Sequence, residues 1–206
     1  MMQKKIWLTG VIAGFMANPL LADVFSQNDH CVAWKTEKVM FLFKKTEPVG
    51  KNCEITTEFQ STDSDTPEHS YQLTMSVPLD KFDSGDAQRD KDVVELLRGD
   101  VRSELLLETD LMDQQSWRQF WAGESMEMPI TVWIGEESYR LVIKPEVDGE
   151  QIKGAIQTKF LHFNLESPKV AMGVVANVSE DLELHFQIQK DQVKNNDWLK
   201  TQDQKI

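Results

Sequence analysis

Apolar and polar residues alternate along most of this chain. Tyr71, Leu73, Met75 and Val77 are separated by Gln72, Thr74 and Ser76. Met126, Met128, Ile130, Val132 and Ile134 repeat the pattern, with Trp133 as an apolar intruder on the opposite face. Tyr139, Leu141 and Ile143 follow, then Ile152 and Ile156. Last come Leu182, Leu184, Phe186 and Ile188, with Glu183, His185 and Gln187 between them. A period of two sends successive side chains to opposite faces, so these runs predict strands with one buried face and one wet face. Shorter candidates at residues 39–43, 55–59 and 105–109 bring the expected number to about eight. Phe41 and Phe43 join the inward set on the first of these.

Tight connections fit antiparallel neighbours. Gly135-Glu136-Glu137-Ser138 separates two alternating runs closely enough for a hairpin, and Asp148-Gly149 does the same before Ile152. Residues 126–160 thus read as a three-stranded meander. Helical signals are few. Val93, Leu96 and Leu97 share one side of residues 90–98, with Gly99 as a stop. Trp117, Phe120 and Trp121 stand at helical spacing behind Ser116, a candidate cap. Between residues 160 and 165 the parity is ambiguous, and a bulge there would exchange the inward and outward faces. The expected architecture is all-β and antiparallel, about eight strands with one or two short helices, as a sandwich or a barrel. A barrel of that size is either filled by side chains or holds one small ligand, and periodicity does not choose.

Residues 1–22 read as a signal peptide. Lys4 and Lys5 precede an apolar stretch to Leu21, which is interrupted by Gly10, Gly14, Asn18 and Pro19 and ends at small Ala22. Removing it takes away two lysines and no acid, moving the net charge from −12 to −14. A periplasmic or secreted protein is expected. Residues 23–190 form one domain, and residues 191–206 a polar tail whose strong apolar pair is Trp198 and Leu199. In an oxidising compartment Cys31 and Cys53 are expected to form a disulfide. The rival use of Cys31 with His30 in a metal site lacks ligand spacing, so no metal is expected. The acidic balance excludes non-specific nucleic-acid binding and electrostatic adhesion to anionic membranes.

Several segments resemble the YceI-like family. Val77-Pro78-Leu79-Asp80-Lys81-Phe82-Asp83-Ser84-Gly85-Asp86 with Arg89-Asp90 is similar to its strand, "TG…RD" turn and helix. Residues 128–135 and 139–146 look like its "TLTIHG" hairpin. Residues 154–163 resemble its penultimate strand with a Phe-containing corner, and residues 177–188 its closing strand after an acidic turn. The resemblance runs in order from residue 39 to residue 188. It departs from the family at Lys44-Lys45-Thr46-Glu47-Pro48, in the short stretch 99–104, and in its two cysteines. It implies a lipocalin-like barrel, usually exported, in which an apolar tunnel holds an isoprenoid or another amphiphile. It implies no shared catalytic residues.

By parity the ligand-lining candidates are Phe41, Phe43, Tyr71, Leu73, Met75, Ile130, Val132, Leu141, Ile143, Leu184 and Phe186. The same residues would equally fill a core, which leaves an exported interaction or stress-response protein as the alternative function. Burying a chain in such a lumen is worth about 0.8 kcal/mol per CH₂ before ordering costs. No GxSxG, HExxH or phosphate-cradling loop occurs, and the four histidines are scattered, so no catalytic residues and no enzyme are expected. No cofactor is expected beyond a bound lipid, no stable membrane insertion, and a monomer or homodimer.

Overall fold

A computed structural model of the chain describes residues 24–40, 44–61, 70–168 and 176–200. The expected signal peptide, Phe41 and Phe43 lie outside the described residues. Twelve strands occur among them: β1 Cys31–Met40, β2 Lys44–Thr46, β3 Val49–Asn52, β4 Thr56–Ser61, β5 Ser70–Pro78 and β6 Glu104–Thr109, then β7 Met112–Asp113, β8 Met128–Ile134, β9 Glu137–Ile143, β10 Glu146–Asp148, β11 Gln151–Lys159 and β12 Ala176–Gln189. Helices α1 Ala87–Leu96, α2 Gln114–Trp121 and α3 Asp197–Lys200 complete the set, with short 3-10 turns at Leu79–Lys81, Phe160–Phe163 and Lys190–Gln192. The molecule is all-β and antiparallel, as the alternation predicts.

The strands form two six-stranded sheets. One runs β10-β11-β12-β1-β2, with β3 also on β1; the other runs β4-β5-β6-β8-β9, with β7 also on β5. Two-residue loops close the β8–β9 and β10–β11 hairpins, and each needs a positive φ at its first position. Gly135 (φ 59°) and Gly149 (φ 58°) supply it without the Cβ clash another residue would meet. The expected single meander over residues 126–160 is instead divided between the sheets. β8 and β9 belong to the second and β10 and β11 to the first, because the chain crosses over at Lys144 and Pro145. Pro145 has no N–H to continue a ladder, and alternation carries no information about which sheet a strand joins.

The first strand lies earlier than residues 39–43, since β1 begins at Cys31 and pairs with β12 from Cys31↔Gln187 to Met40↔Ala176, with an irregularity between Thr36 and Lys38. Asp86 caps α1 by accepting from the N–H groups of Gln88 and Arg89. Asp113, not Ser116, caps α2: its carboxylate accepts from the Ser116 N–H at 2.8 Å and from its hydroxyl at 2.7 Å. The ambiguous stretch at 160–165 is a 3-10 turn ended by Asn164 at φ 52°, which buries Phe160 and Phe163 and turns Leu161 outward.

Cys31 and Cys53 form the expected disulfide. It ties β1 to the loop before β4, beside the seam between the sheets. There β4 has no strand partner on its outer side. Lys194 takes that place, donating its N–H to the Thr57 carbonyl at 2.9 Å and accepting from the Phe59 N–H at 3.1 Å. Val193, Trp198 and Leu199 of the expected polar tail pack against the apolar cluster beside this edge.

Candidate functional site

The inward faces of the two sheets oppose apolar rows. In the first sheet, register places Ile156, Leu184 and Trp34 in one row ending at Gly50, and Gly154, Phe186 and Val32 in the next. In the second, Met75, Leu107, Val132 and Tyr139 form a row across β5, β6, β8 and β9, flanked by Ile130 with Leu141 and by Met128 with Ile143. No charged side chain belongs to either apolar cluster among the described residues.

Packing divides this surface into two buried clusters. Ile55, Phe59, Met75, Val77, Trp117, Phe120 and Met128 anchor one; Ile130, Val132, Ile134, Leu141, Phe160, Phe163 and Leu182 anchor the other. Trp34, Leu97, Leu105, Leu107 and Ile143 pack against both, yet each remains only half-buried. This shared stripe lies where the two clusters meet and keeps part of its apolar surface accessible.

Two glycines explain how large rings can face inward without filling the space. A Cβ on Gly154 would stand 2.3 Å from Phe186 Cζ, and one on Gly50 would stand 2.4 Å from Trp34 Cε2. Both rings thus lie flat across the backbone of a neighbouring strand. They sheathe the wall instead of projecting from it.

The described candidates all join these clusters. Met75, Ile130, Val132 and Leu141 are buried, and Tyr71, Leu73, Ile143, Leu184 and Phe186 are half-buried. Parity missed Trp34, Val32, Leu105, Leu107 and Ile156. Three consecutive leucines at 105–107 hide which of them points inward, whereas Val32 and Trp34 do alternate and could have been found.

The polar face of β12 is not wet, contrary to the reading of the alternation. His185 (3% exposed), Gln187 and Gln189 are buried. Gln187 donates to the carbonyls of Ser26 and Asp29, Gln189 to those of Gln27 and Asp29, and Gln151 to that of Gln27, so a strap of residues 26–29 covers this face. His30 ends the strap. Its Nδ1 accepts from the Gln189 N–H at 3.1 Å, which leaves Nε2 to carry the proton toward Thr57 Oγ1 at 3.5 Å. Burial pushes the pKa of His30 down against the opposing charge of Asp191, and burial lowers that of His185 despite its contact with Glu183 at 3.2 Å. His185, Gln187 and Gln189 form a structural polar layer on the outer face of β12, whereas His30 reaches Thr57, the cross-strand partner of the inward Met75.

The two ends of the interior differ. At one, the Tyr139 hydroxyl donates to Glu137 at 2.5 Å and Arg98 pairs with Glu137 at 2.7 Å; these two bonds hold the Glu137 carboxyl below its usual range. At the other, Phe59 is ringed by Trp117, Trp121 and Trp198 at 4.8, 5.7 and 5.2 Å, and Trp198 stacks on Tyr71 at 3.8 Å. A shallow depression lined by Lys91, Val94, Glu95 and Asp100 lies beside α1, away from the inward rows. No group of three or more metal-ligating side chains occurs among the described residues, and no helix among them is long and apolar enough to cross a membrane.

No protein-family model matches the sequence, and no curated protein matches it. Solved structures with a similar backbone include Burkholderia cenocepacia BcnA, at 12% identity and a TM-score of 0.48, covering 75% of this chain and 94% of that one. A polyisoprenoid binding domain from Saccharophagus degradans implicated in plant cell wall breakdown is similar at 8% identity and a TM-score of 0.47, covering 76% and 91%. The Campylobacter jejuni YCEI protein is similar at 12% identity and a TM-score of 0.45, covering 85% and 96%.

Proposed function

We propose that this protein is a non-enzymatic periplasmic carrier that holds an isoprenoid-like lipid or another amphiphile between its two sheets. The half-buried stripe of Trp34, Leu105, Leu107 and Ile143 carries this reading: it is apolar, uncharged and keeps accessible surface between two buried clusters. A linear hydrocarbon would gain about 0.8 kcal/mol for each CH₂ removed from water. It would also complete the contacts that Trp34 and Leu107 lack. Such binding needs no reacting group. The sequence resemblance to YceI-like proteins, the Cys31–Cys53 disulfide and the leader-like residues 1–22 support an exported protein.

The candidates Tyr71, Leu73, Met75, Ile143, Leu184 and Phe186 are assigned as chain-contacting residues, and Phe41 and Phe43, outside the described residues, join them by sequence parity alone. Ile130, Val132 and Leu141 form the floor behind them. Mass spectrometry of an organic extract of the purified protein tests the proposal, followed by titration with farnesol. A co-purifying amphiphile and saturable farnesol binding are expected. Clean extracts together with no farnesol binding would overturn it. The full burial of Met75, Ile130, Val132 and Leu141 favours the second reading, a filled interior in an exported interaction or stress-response protein. On that reading Leu73→Ala changes stability and no ligand.

A further inference from the structure

Several described cations reach no carboxylate, Lys38, Arg89, Lys91, Arg102, Lys144 and Lys194 among them, and two more, Arg118 and Lys190, lie partly buried at the aromatic end. Lys51, Arg98, Arg140 and Lys153 each reach a carboxylate, at 3.0, 2.7, 2.6 and 3.0 Å. Arg118 and Lys190 reach none among the described residues. Each is held by a backbone carbonyl instead: Arg118 Nη2 donates to Trp198 O at 3.2 Å, and Lys190 Nζ to Trp121 O at 2.8 Å. The Arg118 Nε is buried without an acceptor. Lys190 also lies 5.6 Å from the centroid of the Trp121 ring. Burial lowers its pKa, and Glu150 opposes this only through the charge between them.

Arg118 and Trp121 are three residues apart on α2, so they share one helix face, and the carbonyl of Trp121 brings Lys190 to the same place. The apolar interior leads there. Phe59, Trp121 and Trp198 surround this end, and Tyr71, an inward residue of β5, stacks on Trp198. Removing two cations partly from water with no carboxylate in contact, Glu150 acting on Lys190 only from a distance, is costly, and in a chain with 34 acidic residues against 22 Lys and Arg an internal partner was available in composition. An external anion would complete the arrangement, giving the Arg118 Nε an acceptor and the pair a counter-charge.

We propose that Arg118 and Lys190 form the head-group subsite of the carrier, taking a phosphate monoester whose hydrocarbon chain lies between the sheets. This assignment rests on the carrier reading. Calorimetric titration of the full chain with farnesyl phosphate, farnesol and inorganic phosphate tests it. Farnesyl phosphate is expected to bind about tenfold more tightly than farnesol, the worth of one charge-assisted hydrogen bond. In Arg118→Gln with Lys190→Gln the ratio should fall to about one. Equal affinities in the unaltered protein overturn the subsite and leave the carrier standing; binding of neither prenyl compound overturns both. Inorganic phosphate binding as tightly as farnesyl phosphate would overturn the amphiphile and point to a free anion. The same ratio measured in low and high NaCl needs no variant: it should shrink with salt, and a salt-independent ratio overturns the assignment.

Discussion

Gly154 and Gly50 decide the shape of the interior more than any apolar residue does. Each leaves room for an aromatic ring to lie down on its neighbour's backbone, and a methyl group removes that room. Gly154→Ala should push the Phe186 ring off the wall and into the stripe. Urea unfolding is expected to show a loss of about 1–3 kcal/mol, the usual cost of overpacking, with weaker farnesol binding in the fraction still folded. Unchanged stability would mean that Phe186 rotates freely. The buried histidines set a different dependence. His30 and His185 have lowered pKa values in the fold, so the unfolded chain binds more protons below its own histidine pKa of about 6.5. Their contribution is complete above that pH and is lost as pH falls through the folded values. Stability should therefore decline below about pH 6.5, and His30→Gln, which can keep a hydrogen bond, should flatten the decline. A profile level down to the carboxylate range would contradict this.

At the scale of elements, the caps were only half legible. Ser116 stands at the right distance before an apolar helical run, but the chain reserves the cap for Asp113, three residues earlier, and Ser116 becomes the residue bonded to it. Asp113→Ala should cost about 1 kcal/mol in thermal or urea unfolding, and Ser116→Ala clearly less. The reverse order would restore Ser116 as the cap. The strands were read from alternation wherever one face was apolar and the other polar, as in β5 and β8. They were missed or blurred where packing overrode composition. β1 carries Lys35, Thr36 and Lys38 among its apolar residues, and the sequence predicts a strand there only from residue 39. The polar face of β12 is buried by a strap whose backbone carbonyls satisfy three glutamines, and nothing in the alternation distinguishes such a face from a wet one. The disulfide was legible because two cysteines leave one pairing. Replacing both Cys31 and Cys53 with serine should lower stability by about 3 kcal/mol, the value expected for a loop of this length, as read from the urea midpoint at constant slope. An unchanged midpoint would make the bridge incidental.

The molecule as a whole is an acidic shell around an uncharged interior. Its carboxylates lie at turns, helix caps and outer strand faces, where Asp110 with Arg140 and Glu137 with Arg98 form ion pairs. Two cations without carboxylate partners stand at the aromatic end. The half-buried stripe was only partly legible, because it depends on which inward residues keep accessible surface, a property of two sheets facing each other and of no single strand. The seam adds a consequence in time. β1 pairs with β12 across most of the chain, and the outer edge of β4 waits for Lys194. During synthesis the first strand has no neighbour on that side until nearly two hundred residues have been made, and contacts of such separation are slow to form. Early residues would emerge, wait, and stay open. A chain that cannot close before its last strand arrives stays extended and open to other binding partners through most of its synthesis.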